Sequence, residues 1–169
     1  MKRILIVLVF ALAAAGCQSA PAEKASPAAT PAPTAEAAKA APEAEHEHAA
    51  PHGGTLVELG EEFAHLEIVL DAATGRLTAY ALDGEAEKAV RVKTSGIEIG
   101  IRDPALTLKL EGVANSLTGE TAGDTSEFTA QNDKLKGATR FEGTVRSLAI
   151  KGKQFTNVAF RFPDGNESK

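Results

Sequence analysis

Beyond Thr55 the chain alternates apolar and polar positions in run after run: FAHLEIVLD, RLTAYALD, IEIGIR, LTLKLEG, RFEGTVRSLAI and FTNVAFRF. A period of two sends successive side chains to opposite faces of an extended backbone, so each run predicts a half-buried strand. Between the runs stand residues that turn the chain: DAATG at Asp71 to Gly75, DGE at Asp83 to Glu85, RDP at Arg102 to Pro104 and KGK at Lys151 to Lys153. A helical turn is expected only around Asn132 to Gly137. The pattern therefore predicts an all-β domain over residues 51–169, an antiparallel Ig-like β-sandwich of seven or eight strands. Its core is read from the phase of each run: Leu66, Ile68 and Leu70; Ile97, Ile99 and Ile101; Leu106, Leu108 and Leu110; Val158, Phe160 and Phe162. With no tryptophan and a single cysteine, aliphatic burial has to hold this sandwich together.

The first half-hundred residues follow different patterns. Lys2 and Arg3 precede an unbroken apolar run from Ile4 to Ala15, the layout of a secretory signal over residues 1–16. That run is too short to span a bilayer, which takes about 20 residues of helix. AAAGC, ending at Cys17, resembles a bacterial lipobox, whose cysteine is acylated and becomes the mature N-terminus. Acylation would also account for a lone thiol in an exported chain, since one cysteine cannot form an internal disulfide. More than one acyl chain anchors a protein firmly to a membrane. Gln18 follows the cysteine where, in the lipoproteins this resembles, an aspartate favours inner-membrane retention. The expected location is thus the cell envelope, at the outer membrane facing the periplasm. From Gln18 to Ala50 the chain is almost entirely Ala, Pro, Glu, Lys, Ser and Thr, with no large apolar residue to bury, and predicts a disordered tether.

Charge narrows the partners. The formal net charge is −5, and losing Lys2 and Arg3 with the signal takes it to −7. An acidic chain argues against nucleic acid and is mildly compatible with cations. All four histidines, His46, His48, His52 and His65, fall within EHEHAAPHGGTLVELGEEFAH. Imidazole is the commonest protein ligand for transition metals, and His46 and His48 alternate with Glu45 and Glu47. His52 stands in PHGG, where proline and two glycines allow a tight turn into the first strand. His65 and Glu67 share the polar phase of FAHLEIVLD, about 7 Å apart by strand rise. Together His46, His48, His52, His65 and Glu67 make a candidate metal site. The bland reading is a solvated tail leading to an exposed strand histidine beside an exposed glutamate, because polar residues on an outward face need no function.

The stretch from Glu45 to Leu70, continued through GRLTAYALDGEAEKAV, resembles the N-terminal β domain of periplasmic adaptor proteins from bacterial heavy-metal efflux pumps. It is similar also to small exported lipoproteins that share a PHGG motif followed by Phe and Glu. The matching positions are Pro51, His52, Gly53, Gly54, Gly60, Glu62, Phe63, Glu67, Ile68 and Tyr80. The resemblance implies transition-metal binding by the acidic, histidine-rich segment before the motif, and a metal efflux system as a partner.

An enzyme is not expected. No histidine follows His65 to act as base for Ser116, Ser126 or Ser147, and acylation leaves no thiol nucleophile. The reading is a lipid-anchored periplasmic protein that binds a divalent transition metal weakly, as a buffer, sensor or delivery accessory. With no methionine or free cysteine in the mature chain, Zn(II), Cu(II) or Ni(II) suit the site better than Cu(I). The alternative is a non-catalytic module of the envelope that docks a protein partner.

Overall fold

A computed structural model describes residues 48–166. The signal segment, Cys17, the tether up to Glu47 and His46 lie outside the described residues. The domain is all-β, with eight strands: β1 (Thr55–Glu58), β2 (His65–Asp71), β3 (Arg76–Leu82), β4 (Gly96–Ile101), β5 (Leu106–Gly112), β6 (Glu127–Gln131), β7 (Phe141–Ile150) and β8 (Lys153–Phe162). The one helical element among the described residues is a 3-10 turn, Asp133–Leu135, where the short helical turn is expected. Asn132 caps it by accepting the Lys134 N–H on its side chain.

All ladders are antiparallel, and the strands join in a single sheet of order β1-β2-β3-β6-β5-β4-β7-β8. That sheet curls until it is nearly closed, so the two packed layers of the expected sandwich are continuous through the hydrogen-bonded ladder. The chain after β8 bridges the remaining gap. Thr55 Oγ1 donates to Pro163 O at 3.1 Å. The Asn166 amide grips Glu58 from both sides, accepting its N–H at 2.7 Å and donating to its carbonyl at 3.2 Å. An edge strand's open backbone groups are thereby covered.

Every strand sends its apolar phase to one core, from Val57, Leu66 and Leu77 through Ile97, Leu110 and Phe128 to Val145 and Phe160. Leu70, Leu106, Val158 and Phe162 pack at its margin. Turn chemistry sets the register. Ile150 and Lys153 pair across a two-residue turn in which Lys151 and Gly152 both take positive φ, 49° and 79°. That geometry matches the right-handed twist of the flanking strands, and glycine accommodates it without steric cost.

One expectation of the alternation is overturned at β2. His65 and Glu67 do occupy its outward phase, but both are fully buried. Leu56, Leu82 and Ala86 form a second, small apolar cluster on that outer face, and Ala50 packs against it. The outer face of β1, β2 and β3 is therefore covered by the chain that enters β1.

Candidate metal centre

The cover begins with a turn. Pro51 follows Ala50, and the Gly53 N–H closes back onto the Ala50 carbonyl at 3.1 Å, with Gly53 at φ 71°. The next residue lies flat on the sheet. A Cβ at Gly54 would stand 2.6 Å from Ile68 O and 2.7 Å from Val69 Cγ2, so only glycine fits. The two glycines of PHGG have separate causes: the first supplies the backbone angle, the second the close approach.

That approach brings the strap onto Glu67. Its Oε1 accepts the backbone N–H of His52 and of Gly54, both at 2.8 Å. Its Oε2 accepts from His52 Nδ1 at 2.6 Å. A carboxylate removed from water needs such partners, and three charge-assisted hydrogen bonds supply them. Both oxygens of Glu67 are thus engaged. Because the carboxylate accepts, Nδ1 of His52 carries a proton, and in the neutral imidazole the lone pair is on Nε2. The ring is further held by stacking on Tyr80, with centroids 3.8 Å apart and planes 11° from parallel. Tyr80 stands directly across from Glu67 in the β2–β3 register. Burial, and then the charges of Glu127 and Glu67, push its phenol above the ordinary value, which keeps it neutral.

His65 occupies the neighbouring row, between Glu58 on β1 and Leu82 on β3. Its Nδ1 donates to the carbonyl of Asp83 at 3.2 Å, so in the neutral ring its lone pair also falls on Nε2. The Asp83 loop is itself pinned, since the Asp83 carboxylate accepts the N–H groups of Glu87 and Lys88 at 2.9 and 3.1 Å. Partial burial opposes ionisation of Asp83, but those two N–H groups and nearby Lys88 outweigh it and hold the carboxyl below its ordinary value. The ring of His48 meets His65 edge-on, with centroids 4.7 Å apart.

Of the sequence-derived site residues, the fold brings together two pairs, His52 with Glu67 and His48 with His65. Among the described residues no three of the His, Cys, Asp and Glu side chains are gathered closely enough to hold a metal ion. His46 lies outside them. Sequence reasoning passed over the supporting part of Asp83, which reads only as a turn residue. It missed also the outward apolar residues Leu56 and Leu82. An apolar side chain on a strand's polar phase is the available signal that something covers that face. Comparison with protein-family models, with curated proteins and with solved structures finds no match for this chain.

Proposed function

We propose that this chain is a lipid-anchored periplasmic protein that binds a divalent transition metal, Zn(II), Cu(II) or Ni(II), weakly through its N-terminal histidines. It serves as a buffer, sensor or delivery accessory of the envelope. The observation that supports this reading is the state of the two imidazoles held at the sheet. Each has Nδ1 tied to an oxygen acceptor, Glu67 or the Asp83 carbonyl, which leaves Nε2 as the donor atom. Ligating histidines are ordinarily oriented in this way, by a carboxylate or backbone carbonyl behind the ring. In this reading His52 and His65 are preset donors, His46 and His48 are brought by the entering chain, and Glu67 orients His52 from behind. The protein supplies no catalytic step, and Cys17 carries the lipid.

Calorimetric titration of the purified protein with Zn(II), Cu(II) and Ni(II) at neutral pH tests the reading. Saturable binding is expected, weakened by His46→Ala with His48→Ala and weakened further by His65→Ala. Glu67→Gln is the sharper variant. Its amide can still accept from the two backbone N–H groups, but it turns an N–H toward Nδ1 and moves the imidazole proton to Nε2. Loss of about 10- to 100-fold in affinity with the fold intact is expected. Binding that survives all four histidine substitutions, or no saturable binding of any of the three ions, overturns the metal reading. Cys17→Ala tests the anchor separately, by moving the protein from the membrane to the soluble fraction.

A second reading, a non-catalytic docking module, is favoured by one feature. Leu117 is 95% exposed, at the apex of a β5–β6 loop in which Asn115 and Glu120 pair across the chain. Asn115 Oδ1 accepts the Leu117 N–H at 3.0 Å, so the loop presents this leucine in an ordered turn. Loss of co-purifying envelope partners on Leu117→Ser, with metal binding absent, is the outcome this reading requires.

A further inference from the structure

On the far side of the sheet, β4, β7 and β8 have an outer face that no segment among the described residues crosses. Gly100, Thr144 and Ala159 stand in register across the three strands and make a floor of small residues. Along one side Glu142 pairs in the ladder with Arg161, and its carboxylate holds Arg102 at 2.6 Å. Along the other side lies Arg146. The two walls are four residues apart on β7, about 13 Å by strand rise. The hollow between them has a volume of about 900 Å³.

Two details give this hollow a chemistry. The first is the seat of Arg146. A Cβ at Gly100 would stand 3.0 Å from its Nε and 3.2 Å from its Nη2, so the guanidinium lies across the Gly100 backbone, over the floor. The second is charge. Arg102, Arg146 and Arg161 line the hollow against Glu142 and Asp164, on a chain of formal net charge −5. Arg102 is engaged by Glu142, whereas neither Arg146 nor Arg161 forms an ion pair among the described residues. Guanidinium groups present a planar fork of donors that matches carboxylate and phosphate oxygens two at a time. Nothing in folding requires two arginines without an ion pair among the described residues to flank a trough floored by glycine, threonine and alanine.

We infer that the outer face of β4, β7 and β8 is a binding site for a small oxyanion, a phosphate or a carboxylate, held between Arg146 and Arg161. The site is independent of the histidine cluster. It gives the domain a second ligand of opposite charge to the first.

The test uses the purified, metal-free protein, titrated by calorimetry at low ionic strength with inorganic pyrophosphate in one arm and succinate in the other. Saturable one-to-one binding in either arm is expected, and the tighter arm assigns the oxyanion. Arg146→Ala and Arg161→Ala should each lower affinity at least fivefold. Gly100→Ala keeps every charge and displaces only the Arg146 guanidinium, and a loss of at least threefold is expected. Arg76→Ala, exposed at the start of β3, should change nothing. No saturable binding in either arm overturns the proposal. So does a loss on Arg76→Ala equal to that on Arg146→Ala, which would reduce the effect to diffuse charge.

Discussion

Strands β2 and β8 carry the same period-two pattern and meet different fates. On β8 the pattern holds from Val158 to Phe162, after a change of phase at Asn157 (φ 53°): Phe160 is buried while Ala159 and Arg161 are exposed. On β2, four consecutive residues from His65 to Ile68 are buried. The difference is not in the strand. It lies in what crosses the outer face, the strap from His48 to Gly54 at β2 and solvent at β8. A polar residue on an outward phase is therefore two different objects. Arg161 keeps its water, whereas Glu67 has exchanged water for two backbone N–H groups and one imidazole. Removing the partner of a buried charge is costly, whereas solvated charges are nearly interchangeable.

The largest test of that contrast is Glu67→Ala. It deletes three hydrogen bonds to a buried carboxylate and leaves the His52 and Gly54 N–H groups facing an apolar gap. A loss of about 3 kcal/mol is expected, read as a fall in Tm of roughly 10 °C. An unchanged Tm would mean that the strap contributes nothing to the fold. Gly54→Ala comes next. The added methyl meets the backbone oxygen of Ile68, which cannot rotate away, so the strap must lift. A cost of about 2 kcal/mol is expected by equilibrium urea unfolding, together with increased amide exchange at His52 and Gly54.

Acid should act on the fold in a defined direction. The folded-state pKa of Asp83 lies below its ordinary value of 3.8. Glu120, which accepts from the Thr118 and Ser126 hydroxyls, likewise lies below its ordinary value of 4.5. A carboxyl with a depressed folded-state pKa contributes stability that is fully present above its unfolded pKa and is lost as pH falls through the folded one. Urea midpoints should be flat from neutral pH down to about 5 and decline below about 4.5. Asp83→Asn should shrink that decline, and a slope unaffected by the substitution would remove Asp83 from the account. The smallest effect belongs to the open side. Arg102→Ala breaks an ion pair whose side chains are 81% and 51% exposed. A change within about 0.5 kcal/mol is expected, and a loss as large as that of Glu67→Ala would erase the distinction between the faces.

Six of the eight strands (β2, β3, β4, β5, β7 and β8) were legible as alternating runs, and β1 as the strand that PHGG enters, because period two and turn chemistry are local properties; β6, Glu127–Gln131, was not singled out. Val158 and Phe160 could be placed on β8 without knowing what β8 pairs with. PHGG was legible as a turn as well. What local pattern does not carry is distance between segments. That Glu67 faces Tyr80, that Gly54 must touch Ile68 and that Asp83 holds His65 are consequences of strand order and register, which only tertiary pairing sets. The same holds for the arginines. Arg102 directly follows β4, Arg146 lies on β7 and Arg161 on β8, and they converge only because β4, β7 and β8 are neighbours in the sheet. The sequence by itself determined which side of each strand is apolar. The tertiary structure decided which outward side is covered, because covering needs a second piece of chain whose arrival is written in no single strand.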